Sequence, residues 1–266
     1  TKMLDKSLNY LIPNKVNDLK RIGNNKDAGY VVSNLALNNC NFLISFGMAE
    51  NFSLEEDFIK LNVSNKIHIY DHTVNFFYFI KKIYKSIKRL FYFKSSLSNI
   101  FSKIKDLRNY NKIKNNNQIK HFKEKIGFSE DIKVTNLSQI IQRTSKEDKI
   151  FLKSDIEGDE FQFLKDIDKQ VNKIHLMVIE FHFLDKNRKQ FKDIINQLKK
   201  EFYLIHLHGN NYSNYCEDGL PKVLEITFLN KKYYNVENDE YNLSFPIDNL
   251  DFPNIENEKD LKFSFQ

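Results

Sequence analysis

The sequence predicts an α/β fold built on a mostly parallel, doubly wound sheet. Short and nearly continuous apolar runs recur along the chain, as expected of strands covered on both faces. Helical patterns lie between them, which is the alternation of a crossover-connected sheet. The last two runs are joined instead by "GNNYSNYCEDGLP". That loop has no helical period, so these two runs are predicted to pair antiparallel.

In chain order, the predicted strands are "NFLISF" (41–46), "KIHIY" (66–70), "DKIFLKS" (148–154), "IHLMVIEF" (174–181), "FYLIHLH" (202–208) and "KVLEITFL" (222–229). After the first strand, "SLEEDFIKL" sets Ser53 and Glu56 at capping-box spacing and predicts a helix beginning there. After the third, "DEFQFLKDI" puts Phe161, Leu164 and Asp168 on a helical step. In "NRKQFKDIINQLKKEF", Phe191, Ile194, Ile195 and Leu198 form one apolar helix face. Asn-rich "NYNKIKNNNQIK" (109–120) reads as a loop or a frayed helix end. Beyond Asn235, Pro246 and Pro253 predict irregular structure wrapping the domain. The expected organisation is an N-terminal segment over 1–40, a main domain over 41–235 and a tail over 236–266.

Composition narrows the function. A 41 % hydrophobic fraction with 24 Phe and 13 Tyr in 266 residues supplies a sizeable core. No apolar stretch nears the roughly 20 residues of a membrane span. The start, "TKMLDKSLNY", lacks a signal peptide's apolar region; a first residue that is Thr fits an excerpt from a longer chain. Cys40 and Cys216 form neither a disulfide framework nor a zinc pattern. A reduced, cytoplasmic protein is the simplest reading. The net charge of +6 is uneven: Val74–Lys123 holds 13 Lys or Arg against the single acid Asp106, leaving the rest of the chain at −6. That block, a helical insertion over about 76–123, also holds eleven Phe and Tyr. It suits nucleic acid, an anionic membrane surface or a phosphate-bearing substrate, or else a solvated helix face over an aromatic core stripe.

Glycine is scarce, yet three of the seven follow predicted strands directly: Gly47, Gly158 and Gly209. Glycine admits positive φ and close backbone approach, and open α/β sheets bind ligands beyond the carboxyl ends of their strands. Polar residues gather at those ends: Asp71, Asp155, Glu180 with His182, and His206 with His208. Asp71 reads as a helix cap or as an acceptor for ribose hydroxyls. The Asp155–Glu160 run reads as an acidic helix start or as a site. His206, His175 and His68 read as structural. Gly47 lies in "SFGMAEN", which is not a dinucleotide G-x-G-x-x-G.

These residues resemble a known family. "LKSDIEGDEFQFL" is similar to the "K-x-D-I-E-G-x-E" signature of FkbM-type S-adenosylmethionine-dependent methyltransferases. "RIGNNKDAGYVV" resembles the "G-x-x-x-D-G-G-Y-V" segment of a sugar-modifying branch, with Ala28 in place of a glycine. "LISFGMAENFSLEEDF", "IYDHTV", "VIEFHFL" and "HLHGNNYS…LPKVLEITF" resemble further motifs in order, with Asn51 where an acid is common. The resemblance covers about residues 20–230. It implies a Rossmann-like class I methyltransferase fold: a mostly parallel seven-stranded sheet with a reversed last strand. It further implies S-adenosylmethionine bound by Ser45, Gly47, Met48, Asp71, His72, Thr73 and Asp155, with Gly47 at the methionine part, Asp71 at the ribose, and His72 and Thr73 near the adenine.

The implied reaction is O-methylation of a sugar hydroxyl, on a nucleotide-activated sugar or a bacterial surface glycan of capsule or lipopolysaccharide type. Such a hydroxyl gains from a general base. Asp155, His208, His182 and Glu180 are the catalytic candidates, with His208 or Asp155 favoured as base. A divalent metal held by Asp155, Glu180 and a histidine is the alternative. The basic block would recruit an anionic acceptor, and an oligomer is compatible with the sequence. The competing function is a nucleic-acid or anionic-membrane binding protein on a Rossmann scaffold, which leaves the strand-end carboxylates and histidines without a role.

Overall fold

The computed structural model describes residues 1–127, 134–236 and 243–266. The central sheet has seven strands: β1 (Phe42–Phe46), β2 (Lys66–Tyr70), β3 (Ile119–Phe122), β4 (Ile150–Ser154), β5 (Ile174–Phe181), β6 (Phe202–Gly209) and β7 (Leu224–Asn230). Their spatial order is β3-β2-β1-β4-β5-β7-β6. Neighbours from β3 to β5 pair parallel, whereas β7 runs antiparallel to both β5 and β6. This is the seven-stranded sheet with a reversed last strand that the family resemblance implies.

The apolar runs become strands because both faces are covered. Ile44, Phe46 and Leu152 join one buried cluster, while Leu43 and Phe151 join the other, the alternation of a period-two strand. In β5 the register shifts between Ile174 and Leu176. That bulge sends Ile174 and Leu176 to opposite clusters although two residues separate them.

The crossover helices are α1 (Asn34–Asn39), α2 (Ser53–Leu61), α3 (Phe76–Phe91), α4 (Leu97–Lys114), α5 (Leu137–Gln142), α6 (Glu160–Phe163) and α7 (Arg188–Glu201). Helix α7 buries Phe191, Ile194, Ile195 and Leu198, its predicted face. Helix α6 tightens into a 3₁₀ turn over Leu164–Gln170.

Two expectations are corrected. Ser53 is the first residue of α2 rather than its cap, and no side chain caps that helix. The Ser53 hydroxyl instead accepts from the Asn24 amide at 3.1 Å, tying α2 to the N-terminal hairpin. The 109–120 segment, expected as a loop or a frayed helix end, holds the last turns of α4, which continues to Lys114, and the start of β3 at Ile119. The sheet's edge strand therefore lies within the span read as a basic helical insertion. The 1–40 segment and the tail both pack against the main domain. The hairpin Leu19–Ile22/Tyr30–Ser33 meets β7 through Thr227, whose hydroxyl donates to the Val31 carbonyl at 2.6 Å. Lys2–Met3, Phe263–Ser264 and Ser244–Phe245 form a small sheet that buries Phe245 and Phe263 in the main core. Tail residues 237–242 lie outside the described residues.

Candidate active site

The order of the strands reverses between β1 and β4, where a crevice opens beyond their carboxyl ends. A cavity of about 250 Å³ occupies it, walled by Gly47 and Ala49, by Tyr70–Val74, by Tyr78, by Glu124–Ile126 and by Asp155–Glu157 with Asp159. Of the residues expected to hold a cofactor, Gly47, Asp71, His72, Thr73 and Asp155 line it. Ser45 and Met48 stand behind the wall. The Ser45 hydroxyl donates to the buried Glu55 at 2.6 Å, anchoring α2, and the Met48 amide donates to Asp71 at 2.9 Å.

Gly47 is required here by geometry. Its φ is +73°, and an added Cβ would lie 1.7 Å from the Asp155 carbonyl oxygen. The ends of β1 and β4 thus meet at van der Waals closeness, backbone against backbone. Lys153, nearly fully buried on β4, completes this junction. Its ammonium donates to the carbonyls of Phe46, at 3.3 Å, and Gly47, and lies 3.8 Å from Asp155. Lys153 had no role in the sequence reading beyond opening the signature. Its signal was a charged residue inside an otherwise apolar strand.

Asp71 accepts four hydrogen bonds, from the Thr73 amide and hydroxyl, the Val74 amide and the Met48 amide. Burial pushes its carboxyl up, but these bonds outweigh burial and hold it below the usual range. The carboxylate therefore organises the loops after β1 and β2 at the cavity wall.

At the other rim of the crevice, His182 follows β5 directly. Its Nδ1 lies 2.7 Å from Glu160 Oε1, while Nε2 faces Asp155 at 3.8 Å and Glu180 at 3.7 Å. Glu160 is fully buried and also accepts from the Gly158 amide at 3.1 Å. Gly158, at φ +111°, packs where an added Cβ would press on the Phe183 ring at 3.1 Å. The glycine amid the carboxylates thus turns Glu160 back under His182. Burial pushes the His182 imidazole down, but Glu160, Asp155 and Glu157 outweigh it and raise it above its ordinary value. A carboxylate that accepts a hydrogen bond from Nδ1–H fixes the tautomer and leaves Nε2 as the reactive nitrogen. Glu160, the last letter of the signature, was not among the sequence-predicted site residues.

Glu180 sits deeper in β5. Burial, then the neighbouring Asp155, Glu225 and Asp27, raise it well above its ordinary value, and Asn210 donates to it at 2.7 Å. Tyr30 and Asp27 are likewise raised, by burial and then by Asp155. Asp155, Glu157 and His182 bring donor atoms within 4.8 Å of one another, a set able to take a divalent cation.

His208 is not brought to this group. Its Nδ1 lies 3.2 Å from Glu225 and its Nε2 3.1 Å from Asp260, so both nitrogens are engaged. Burial lowers it, but the two carboxylates raise it well above its ordinary value. An imidazolium clamped this way is a poor proton acceptor. His206 is a core histidine bonded to Asp251 at 3.1 Å, as expected. Asp251 and Asp260 both come from the tail, whose individual contacts sequence patterning does not assign.

Among solved structures the chain is similar to a putative caffeoyl-CoA O-methyltransferase from Staphylococcus aureus (12% identity, 73% of this chain and 78% of that chain, TM-score 0.36). It is also similar to a precorrin-6y C5,15-methyltransferase from Geobacter metallireducens (9% identity, 74% and 87%, TM-score 0.35). A third is the Methanococcus jannaschii fibrillarin pre-rRNA processing protein (9% identity, 87% and 88%, TM-score 0.37). No curated protein matches the chain. The family described as Methyltransferase FkbM domain matches residues 13–205, from the N-terminal hairpin into β6. With that match over most of its length, the chain belongs to the FkbM methyltransferase family and is an S-adenosylmethionine-dependent methyltransferase.

Proposed function

We propose that the chain methylates a sugar hydroxyl, with His182 as the general base and Glu160 as its orienting partner. The observation that carries this reading is the 2.7 Å contact between His182 Nδ1 and Glu160, with Nε2 turned toward Asp155 at the cavity rim. S-adenosylmethionine fits the cavity on two structural grounds. The cavity lies at the β1–β4 switch point with Gly47 and Asp155 in its wall, and the Asp71–Val74 turn supplies a polar side. When bound, it supplies an electrophilic methyl group on a sulfonium.

The chain's own part is positioning and proton transfer. Asp155 stands between the cavity and His182, where it accepts a hydrogen bond from a neighbouring hydroxyl of the acceptor and so orients the sugar, leaving the proton of the reacting hydroxyl for His182. His182 Nε2 then takes the proton, and Glu160 stabilises the imidazolium. Positioning of this kind supplies much of the rate in a bimolecular displacement, and a placed base contributes about 10²–10⁴-fold. The rim supports a polyhydroxylated acceptor, since Asp155, Glu157 and His182 offer it hydrogen-bonding atoms within 4.8 Å of one another. A nucleotide-activated sugar and a surface glycan of capsule or lipopolysaccharide type both present such hydroxyls.

The test is a methyl-acceptance screen over nucleotide sugars and glycan fragments, run on wild type and on His182→Gln and Glu160→Gln. The reading expects turnover to fall by about 10²-fold or more in His182→Gln, with S-adenosylhomocysteine affinity retained. Full activity in a folded His182→Gln would remove the base. Loss of activity to a chelator with rescue by a divalent ion would recast Asp155, Glu157 and His182 as ligands. Acceptance only by non-sugar hydroxyls would remove the sugar.

A further inference from the structure

Helix α3 carries more apolar surface than the body of the protein covers. Its inner stripe packs inward, with Phe79 fully buried 5.0 Å from the Tyr110 ring of α4. A second stripe, Phe77, Ile80, Tyr84, Ile87 and Phe91, repeats at the three- and four-residue steps of one helix face, and every member is exposed. Tyr92 and Phe93 continue it through the turn, and Leu97 and Phe101 carry it onto the first turns of α4. Phe93 is 97% exposed. Among the described residues, ten of the eighteen exposed large apolar side chains fall between Phe76 and Phe101, a concentration that marks an interaction surface.

The surface is bordered by charge of one sign. Lys81, Lys85, Lys88, Arg89, Lys94 and Lys105 are all exposed on the hairpin. Its one acid, Asp106, is engaged by Lys103 at 3.1 Å. The hairpin is held at a set angle to the body through Glu50, which accepts from the Tyr78 hydroxyl at 2.9 Å and pairs with Lys82 and Lys103.

We infer that the α3–α4 hairpin docks on an anionic lipid bilayer surface. Its exposed aromatic and aliphatic stripe would enter the boundary between headgroups and acyl chains, and its lysines would meet lipid phosphates. Charge complementarity selects this occupant. A second copy would bring the same excess of positive charge to the interface. Nucleic acid would use the cations and stack on the aromatic rings, but it leaves Ile80, Ile87 and Leu97 in water. A bilayer uses all of them. No helix among the described residues is long and apolar enough to cross a membrane, so the hairpin lies on the surface. Such docking is independent of which acceptor is methylated.

The test is sedimentation of the full chain with vesicles of phosphatidylcholine containing phosphatidylglycerol, against vesicles of phosphatidylcholine alone. Binding to the anionic vesicles should be stronger by about tenfold or more and should weaken as salt rises. Replacing Phe77, Phe91 and Phe93 by Ser should lower it by about tenfold or more, with melting temperature and S-adenosylhomocysteine affinity unchanged. Lys85→Glu with Lys88→Glu should lower it about as much; this pair retains the apolar stripe and so tests the surface even if the serine variant misfolds. The inference is overturned if wild type ignores anionic vesicles or if the charge-reversed pair binds as wild type does. It is also overturned by binding of single-stranded RNA in preference to the vesicles, or by a wild-type dimer that the serine variant dissolves.

Discussion

Gly47→Ala tests the junction on which the cavity is built. At φ +73° an alanine carries a left-handed penalty of about 1–2 kcal/mol. Its Cβ would lie 1.7 Å from the Asp155 carbonyl oxygen and 2.9 Å from the carbonyl carbon, whereas ordinary contact begins near 3.4 Å. The obstacle is backbone, so no side chain can swing aside; the ends of β1 and β4 must part by more than an ångström. Forced overpacking of this kind costs about 1–3 kcal/mol. Two bonds hold the junction, from the Asp155 amide to Phe46 at 3.0 Å and from the Gly47 amide to Tyr70 at 3.1 Å. Each contributes about 1 kcal/mol. The sum, about 4–7 kcal/mol, is a large part of the 5–15 kcal/mol typical of a folded domain. Urea unfolding should report this loss, and calorimetry should show S-adenosylhomocysteine affinity falling by about tenfold or more as the cavity wall shifts, roughly the 1.4 kcal/mol that separates decades of affinity. A variant with wild-type stability and affinity would refute the wedge between Gly47 and Asp155.

Other perturbations read other parts of the account. Asp71→Asn should lower stability at pH 7 by about 1.5–3 kcal/mol, the range for hydrogen bonds to a charged group. Because the folded carboxyl is depressed, its contribution is present above the unfolded value of about 3.9 and is lost as pH falls through the folded value. The gap from wild type should therefore close in acid, and a gap that persists there would refute the charged cap. Ala28→Gly relieves a residue at φ +63° and should stabilise by about 1 kcal/mol, the left-handed strain less the glycine entropy; a lower melting temperature would contradict it. His208→Gln should destabilise by about 1.5–3 kcal/mol through loss of two charge-assisted bonds, while turnover by the folded enzyme persists. His208 is raised when folded, so its contribution is full below about pH 6.5 and is lost as pH rises through the folded value. Loss of turnover without loss of stability would restore His208 to the reaction.

What the sequence made legible follows from pattern strength. Strands β1, β4 and β5 are buried at every residue, so they read as apolar runs broken only by Ser45, Lys153, Ser154, His175 and Glu180. Strand β3 is a four-residue edge, Ile-Lys-His-Phe, only its first residue buried, and it carries no such signal. Ser53 and Glu56 have capping-box spacing, yet the Ser53 hydroxyl is taken by the Asn24 amide 29 residues away; no local window contains that contact. The site divides in the same way. Asp71, Asp155, Glu180 and His182 stand at strand ends and are visible by position. Glu160 and Lys153 act through partners that only the fold supplies, and His208 changes meaning once Asp260, 52 residues later, closes on it. Spacing shows that residues share a strand face. It does not show which of them is clamped.

The central claim is that the crevice at the β1–β4 switch point binds the methyl donor beside His182. Its most direct test is a crystal structure of the chain grown with S-adenosylhomocysteine. The account predicts the ligand in the cavity walled by Gly47, Asp71–Thr73 and Asp155, its sulfur turned toward the side of Asp155 that faces His182. A ligand bound elsewhere, or a sulfur turned away from Asp155 and His182, would contradict it.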